Sequence, residues 1–286
     1  MNKTVLFIRQ LLKESAKNDY LGLASEIGYN FILSIFPFAI FIVAIFGILG
    51  TEDGISKLSD FYNRLLPPDI TLIVTEILKS IINSGSNQIL SIFGLLTTLY
   101  TASGVVLVIK KGLNRAYNIT ESRPGWFIII LVVLILIIIT IVIFLSFNLT
   151  VFGRYIFSLA SEFIDFPPYI QRIIPFLSWF TAFISLFLMI LVVYYYLPDI
   201  KYDKRALLKG STIGALFFST FWLISSWLFS LYLSHFARFN IVYGTLGTVI
   251  ALLVWFYYTS LIILLGGEIS SLTFKTIRSR VFEVKP

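Results

Sequence analysis

The sequence lacks cysteine and carries little charge. None of its 286 residues is a cysteine, 13% are charged and 58% are hydrophobic. The absence of cysteine excludes disulfides, thiolate nucleophiles and zinc sites with cysteine ligands. A soluble domain is about half apolar and about a quarter charged, so this composition indicates an integral membrane protein. The net charge of +7 then points to membrane orientation and anionic lipid rather than to nucleic acid.

Catalytic and cofactor motifs are missing as well. His235 is the single histidine, and one histidine without cysteine does not make a zinc site. The sequence has no Ser-His-Asp set, no glycine-rich phosphate loop and no dinucleotide fingerprint. We therefore predict that the protein is not an enzyme and that it holds neither a metal nor a cofactor.

Long apolar segments account for most of the chain. Six of them reach the roughly 20 residues that a hydrocarbon core of about 30 Å requires. They are residues 27–50, 89–109, 126–147, 176–197, 210–233 and 243–266. Sixteen basic residues lie on one predicted side of the membrane and six on the other, which places both termini in the cytoplasm. We predict an all-α, polytopic fold with six transmembrane helices.

The segments outside the spans also show helical patterns. Residues 1–20 have apolar residues on one face and Arg9, Lys13 and Lys17 on the other, typical of an interfacial amphipathic helix. A solvated helix packed on the protein itself is the alternative. The six-helix domain covers residues 21–274, with external helical loops at 51–88 and 148–175 that each contain a Pro-Pro pair. Residues 275–286 are predicted to form a short basic cytoplasmic tail.

The first predicted span carries a polar stripe. Glu26, Tyr29, Asn30, Ser34 and Pro37 share one helical face, so this face should meet other helices or water rather than lipid. Glu268 lies at the same predicted cytoplasmic level, after the last span, and basic loop residues are its expected partners. The predicted polar cluster at the inner mouth consists of Glu26, Tyr29, Asn30, Ser34, Lys110, Lys111, Asn114, Arg115 and Glu268. A structural salt bridge, a proton-coupling carboxylate or gate, and side chains that simply reach cytoplasmic water all remain open.

Small and hydroxylated residues follow one face of the second, fifth and sixth spans, whereas the third span is almost entirely apolar. Such stripes let helices approach closely, so spans one, two, five and six should form the interior and span three should face lipid. Helix packing alone is the alternative to a substrate path. The predicted packing or path-lining residues are Pro37, Gly94, Thr97, Thr101, Gly104, Trp222, Gly244, Gly247, Thr248 and Trp255.

Three segments together resemble a known family. They are ASEIGYNFILSIFP at residues 24–37, KGLNRAY at 111–117, and YGTLG at 243–247 followed by Trp255 and LGGE at 265–268. They resemble the YihY/BrkB family of bacterial inner-membrane proteins, formerly mislabelled ribonuclease BN. The resemblance implies a multi-pass protein of the bacterial cell membrane, a transporter or permease without an established substrate. The residues themselves give no support to nuclease chemistry.

Two functions are compatible with these features. The first is a transporter with its path between spans one, two, five and six; the aromatic content of 17% and the scarcity of charge favour a lipid-like or amphipathic substrate. The second is a non-transporting membrane scaffold or an oligomeric envelope protein. Either could form a homo-oligomer. The expected partners are membrane lipids, with anionic headgroups on the cytoplasmic side, and not nucleic acid.

Overall fold

The computed structural model describes residues 3–49, 87–163, 168–235 and 245–283. All regular structure in these residues is helical, as predicted from the sequence. The seven helices are α1 (Lys3–Lys17), α2 (Tyr20–Leu49), α3 (Asn87–Tyr117), α4 (Gly125–Phe163), α5 (Pro168–Tyr196), α6 (Lys204–His235) and α7 (Thr245–Glu283).

Four helices contain stretches that are long and apolar enough to cross a membrane. These stretches are Ile92–Tyr117 in α3, Gly125–Ile143 in α4, Lys204–Tyr232 in α6 and Val249–Ser279 in α7, and α5 adds the shorter apolar stretch Phe180–Tyr196. Helix α2 contains nearly all of the first predicted span. The stretch in α4 is the least buried of the four, which agrees with the lipid-facing position predicted for the third span. The total of six spans stays a prediction.

Several predicted boundaries differ from the observed ones. Residues 148–163 continue α4, and α5 begins at Pro168, so the helices predicted in the second external loop are extensions of the spans. Proline suits this position because the first turn of a helix does not use its backbone N–H. Helix α7 runs on to Glu283, through most of the predicted basic tail. The first external loop, up to residue 86, lies outside the described part of the chain.

The chain divides into two compact units. The first contains residues 1–23, 109–228 and 261–286, and the second contains residues 24–108 and 229–260. Within the first unit, α4 packs against α5. The fully buried side chains of the first unit include Tyr20, Tyr194, Leu207, Phe218 and Glu268.

The backbones of α6 and α7 are in close contact within the first unit. A Cβ atom added to Gly214 would lie 2.5 Å from the carbonyl oxygen of Gly266, and one added to Gly210 would lie 2.6 Å from that of Ser270. No real Cβ atom fits at such a distance, so these positions require glycine. The spacing of four residues on both helices places the contacts on successive turns, which is how small residues let helices pack closely.

The connections within the first unit are fixed by acidic and amide side chains. Asp19, Asn118 and Asp203 have positive φ angles of 57°, 55° and 48°. Asparagine and aspartate tolerate this left-handed conformation better than most residues. Two of them also cap helices, because the Oδ1 atom of Asp203 accepts from Ala206 N at 3.1 Å and that of Asp19 from Gly22 N at 3.3 Å. These turns set where α2 and α6 begin.

Candidate functional site

Glu268 on α7 is the most deeply buried carboxylate among the described residues, with no exposed surface. Its Oε2 atom accepts a hydrogen bond from the hydroxyl of Tyr20 and another, at 3.0 Å, from Nδ2 of Asn18. We call these three residues the Glu268 cluster. Both donors lie at the turn between α1 and α2, so the cluster ties this turn to α7.

The predicted cationic partners of Glu268 lie elsewhere. Lys110 pairs with Glu121 at 3.1 Å, and Arg115 Nη1 donates to the carbonyl oxygen of Asn18 at 3.0 Å. Lys111 is exposed on α3. The two groups that hydrogen-bond to Glu268 are neutral, and its Oε1 atom has no hydrogen-bond partner among the described residues. Desolvating an ion pair is costly, which is why neutral donors suit a fully buried position.

A second layer of hydrogen bonds joins α3 to α7 beside the Glu268 cluster. The hydroxyls of Tyr117 and Ser270 lie 2.7 Å apart. Ser271 Oγ and Lys275 Nζ both donate to the carbonyl oxygen of Ala116, at 2.7 and 2.8 Å. The end of a helix leaves such carbonyl groups without partners in the helix itself, so α7 supplies the donors that α3 lacks.

Close packing surrounds these hydrogen bonds. Tyr194 on α5 is fully buried, donates its hydroxyl to the carbonyl oxygen of Ile263 and lies against Gly266. A Cβ atom at Gly267 would lie 2.5 Å from Cδ2 of Leu113. The surroundings of Glu268 are therefore a packed core. This differs from the predicted inner mouth, because a mouth would leave the carboxylate in contact with solvent or substrate.

A second polar cluster lies in the α3–α4 and α5–α6 connections of the first unit and on the adjoining end of α3. It consists of Lys110, Asn114, Glu121, Arg123 and Asp199, and we call it the loop cluster. Arg123 donates from Nε to Glu121 Oε1 at 2.7 Å and from Nη2 to Glu121 Oε2 at 2.9 Å, and its Nε lies 3.7 Å from Asp199 Oδ1. Asn114 donates to Glu121 at 3.1 Å and accepts from the backbone N of Asp199 at 3.2 Å.

The loop cluster balances two cations against two carboxylates. Burial opposes ionisation of Glu121, but hydrogen bonds from Arg123 and Lys110 outweigh it and lower its pKa to about 2. Burial also opposes ionisation of Asp199, and hydrogen bonds from Ser122 together with the charge of Arg123 lower the pKa of that carboxyl as well. Both groups are therefore charged at neutral pH. The cluster joins the α3–α4 connection to the α5–α6 connection.

The second unit contains the polar stripe predicted on α2. The first two residues of this stripe, Glu26 and Tyr29, are exposed. Ala24 and Ile27 are buried, whereas Glu26 is exposed and Tyr29 is 62% exposed. Ser34 and Pro37 are half-buried. The buried face of α2 at this level is thus the small and apolar one. The nine residues predicted as one inner-mouth cluster are divided between the two units.

Asn30 is a half-buried polar residue of α2 that packs against α3 within the second unit. Its Nδ2 atom donates to the carbonyl oxygen of Glu26 at 2.8 Å, and its Oδ1 atom occupies the space above Gly104, 2.6 Å from where a Cβ atom would lie. The next residue, Phe31, stacks on Phe256 of α7 with ring centroids 5.0 Å apart. The amide of Asn30 is thus held between α2 and α3.

Several hydroxyl groups in the described part of the second unit are bonded to their own helices. Ser34 donates to the carbonyl oxygen of Asn30 at 2.7 Å, Thr97 to that of Phe93 at 2.6 Å, and Thr101 to that of Thr97 at 3.0 Å. Such local bonds satisfy the hydroxyls without partners on other helices. Glu26 is the single charged residue in the described part of this unit. A substrate path lined by these residues would therefore be only weakly polar.

The remaining path-lining candidates are spread over both units. Gly94 is buried, Gly247 is half-buried, and Trp255 is half-buried next to Phe256. Trp222 belongs to the first unit and stacks on Phe218, with ring centroids 6.5 Å apart. Gly244 and the side chain of Thr248 lie outside the part that the structure describes.

Sequence comparison matches most of this chain to one family. The sequence profile of the virulence factor BrkB family matches residues 11–280. The chain belongs to the BrkB family. This confirms the resemblance seen in the sequence segments of α2, α3 and α7.

Relatives of this BrkB-family protein are similar along most of their length. The chain is 31% identical over 271 residues to the ribonuclease-like protein YfkH of Bacillus subtilis, covering 94% of this chain and 95% of YfkH. It is 24% identical to UPF0761 membrane proteins of Chromohalobacter salexigens and Pseudoalteromonas atlantica. These matches cover 92% and 94% of this chain, and 62% and 86% of the respective relative. No solved structure matches the chain.

The names of these relatives do not specify a reaction or a substrate for the BrkB-family chain. The word ribonuclease belongs to the name of YfkH. Within residues 3–49, 87–163, 168–235 and 245–283, no three histidine, aspartate or glutamate side chains are grouped so that they could hold a metal ion. Membrane insertion is the property that the names, the family and the apolar helices support in common.

Sequence reasoning missed several residues that define the site in this BrkB-family protein. Tyr20, Asn18 and Tyr194 were not distinguishable from interfacial polar residues, because only the fold brings them beside Glu268 and α7. For Glu121 the sequence did contain a signal. Glu121 and Arg123 are two residues apart in a short connection, where opposite charges readily form a local pair.

Proposed function

We propose that this BrkB-family protein is a membrane transporter that moves an amphipathic, lipid-like molecule along its second unit. The observation that carries the proposal is the outward polar stripe of α2. Glu26 is exposed and Tyr29 is 62% exposed, on a helix that is otherwise apolar. Polar groups on the outer face of a spanning helix are costly in lipid and are commonly functional.

The chemistry of the second unit favours a lipid-like substrate over a small ion. An ion needs several charged or carbonyl ligands to replace its hydration shell. The side chains that the structure describes in this unit include one carboxylate, one amide held at Gly104 and several hydroxyls bonded to their own helices. A headgroup needs a few polar contacts, and its acyl chains can stay in the surrounding bilayer. A groove open to lipid meets this requirement without a closed pore.

The second unit contains most of spans one, two and six of the predicted path, but only the end of span five, because residues 210–228 belong to the first unit. Its described residues come from α2, α3, α7 and the last part of α6. The first unit is a poorer candidate for a substrate path, since Glu268, its most buried carboxylate, lies among glycines and large side chains that are packed against one another. We therefore assign transport to the second unit and a structural role to the Glu268 cluster.

Lipid movement in reconstituted vesicles tests the proposal. Full-length protein is placed in liposomes that contain a fluorescent phospholipid. Added dithionite quenches the label in the outer leaflet, so a loss of fluorescence beyond the share of that leaflet reports movement between leaflets. Wild-type protein is expected to speed this movement above protein-free liposomes. Asn30→Leu and Thr97→Val are expected to slow it several-fold, because they remove polar groups from the second unit.

A matched control separates the path from general effects on hydroxyl groups. Thr140 on α4 is exposed and donates to the carbonyl oxygen of Leu136 at 2.8 Å, as Thr97 does to Phe93. Thr140 lies in the first unit, so Thr140→Val should leave lipid movement unchanged. Equal loss in both threonine variants would contradict the assignment of the path.

A non-transporting scaffold is the competing function. The backbone contacts between α6 and α7 favour it, because they show that small-residue stripes in the first unit serve packing. If wild-type protein moves no labelled lipid of any headgroup tested, while remaining folded in the vesicles, the transport proposal is wrong and the scaffold is preferred.

A further inference from the structure

Helix α1 presents an apolar stripe that the rest of the chain does not cover. Val5, Ile8, Leu12 and Ala16 are all exposed, with 52% for Val5 and 63% for Leu12. Their spacing of three, four and four residues places them on one face of the helix. A stripe of this size on a helix at the edge of a unit needs a surface to cover it.

A row of cations borders this apolar stripe. Arg9, Lys13 and Lys17 recur every four residues and are exposed. Lys17 lies 3.7 Å from Glu14, and its side chain remains 61% exposed. An apolar stripe beside a basic row is the pattern of a helix that lies in the plane of an anionic membrane surface.

A neighbouring face of α1 is held by the protein, which fixes which way the stripe points. Leu11, Glu14 and Ser15 are half-buried, and Asn18, just after the helix, is buried. Asn18 donates to Glu268 and its carbonyl oxygen accepts from Arg115. Tyr20, two residues later, begins α2 and also donates to Glu268. The Glu268 cluster therefore sets the rotation of α1 about its own axis.

We propose that α1 docks flat on the anionic lipid surface of the membrane, with Val5, Ile8, Leu12 and Ala16 in the acyl region and Arg9, Lys13 and Lys17 at the headgroups. The charge complementarity favours this occupant over a second copy of the chain, since that copy would bring the same basic row against the first. The turn at Asn18 leads directly into α2, which keeps α1 beside the bilayer. The inference does not depend on the transport proposal.

The cysteine-free sequence allows a direct test with spin labels on the full-length protein. Single variants Ile8→Cys, Leu12→Cys and Gln10→Cys are labelled in lipid nanodiscs made with and without phosphatidylglycerol. Labels at positions 8 and 12 should collide more with oxygen than with a water-soluble nickel chelate. The label at position 10, exposed on another face, should show the reverse.

Charge reversal tests whether anionic lipid is the partner. In nanodiscs, phosphatidylglycerol should increase the difference between positions 12 and 10 in how often their labels collide with oxygen rather than with the nickel chelate. The triple variant Arg9→Glu, Lys13→Glu and Lys17→Glu should abolish that increase, because each cation near an anionic surface contributes about five-fold to partitioning. Its melting temperature should match that of the wild-type protein, since the three side chains are exposed. A matching melting temperature shows that the lost effect of phosphatidylglycerol does not come from unfolding.

Two outcomes would overturn the inference. If nickel chelate reaches positions 8 and 12 as readily as position 10 in every lipid mixture, α1 is a solvated helix. If labels at position 12 show short distances between two copies, without any effect of phosphatidylglycerol, a second chain covers the stripe.

Discussion

Glu268 in the first unit and Glu26 in the second are both acidic residues near a predicted cytoplasmic end of a span, yet their surroundings are opposite. Glu268 is fully buried and accepts hydrogen bonds from Tyr20 and Asn18. Glu26 is exposed, one turn before the amide of Asn30. A carboxylate enclosed by neutral donors holds elements together, whereas a carboxylate on the outer face remains accessible to a ligand.

The glycines of the two units differ in the same way. At Gly214 the nearest atom to an added Cβ is a backbone oxygen of α7, at 2.5 Å. At Gly104 it is the Oδ1 atom of Asn30, at 2.6 Å, the end of a side chain that can rotate. The close approach at Gly214 is therefore rigid, whereas the close approach at Gly104 is adjustable.

Replacement of Glu268 should cost the most stability. Glu268→Ala leaves the hydroxyl of Tyr20 and the amide of Asn18 without their acceptor and opens a cavity in the core. Each buried group without a partner costs about 1–3 kcal/mol, so we expect a loss of about 3 kcal/mol or more. Denaturant titration of the purified protein in detergent, followed by intrinsic fluorescence, measures it. Glu26→Ala is the control and should change stability by less than about 0.5 kcal/mol; equal effects would remove the contrast between the carboxylates.

A methyl group at the contact between α6 and α7 should cost somewhat less. Gly214→Ala places Cβ against the backbone of Gly266, which can relax only if the helices separate. Overpacking of this kind typically costs about 1–3 kcal/mol. Gly125→Ala, where no atom lies within 4 Å of the new Cβ, is the matched control. Thermal unfolding of both variants decides the point: a Gly214→Ala protein as stable as Gly125→Ala would show that the backbone contact is not rigid.

The loop cluster predicts a dependence of stability on pH. The pKa of Glu121 is about 2 in the folded protein and 4.5 ordinarily. Stability from Glu121 is therefore complete above pH 4.5 and is lost as pH falls towards 2. Glu121→Gln should lower the melting temperature by a few degrees at neutral pH, and the gap to the wild-type protein should narrow below pH 4.5. Melting curves between pH 7 and pH 3 measure the gap; a gap that is constant over this range would contradict the pairing. Lys17→Gln, at the exposed pair with Glu14, should have little effect at neutral pH.

The length of the apolar segments and the distribution of charged residues made it possible to predict an all-α membrane protein. Close packing through small residues was predicted for the spans that α6 and α7 contain, but Gly210 and Gly214, which make the contact, were not among the residues predicted to pack. Partners of buried groups were not predictable. Glu268 stood out as a carboxylate near the end of a span, but its donors come from a turn almost 250 residues earlier in the sequence. Hydropathy and charge counts carry no information on which neutral side chain reaches which carboxylate, because that depends on helix rotation.

The smallest effect is expected at Gly104, and it is the most informative about the second unit. Gly104→Ala brings Cβ against the amide of Asn30, which can rotate away and give up its bond to the carbonyl oxygen of Glu26. The loss of that bond, about 1 kcal/mol, is offset by the preference of a helix for alanine over glycine, also about 1 kcal/mol. The melting temperature should thus stay close to that of the wild-type protein, in contrast to Gly214→Ala. Lipid movement should nevertheless slow, because the amide is displaced from its place beside α3. A Gly104→Ala protein that is strongly destabilised would mean that the second unit is packed as rigidly as the first.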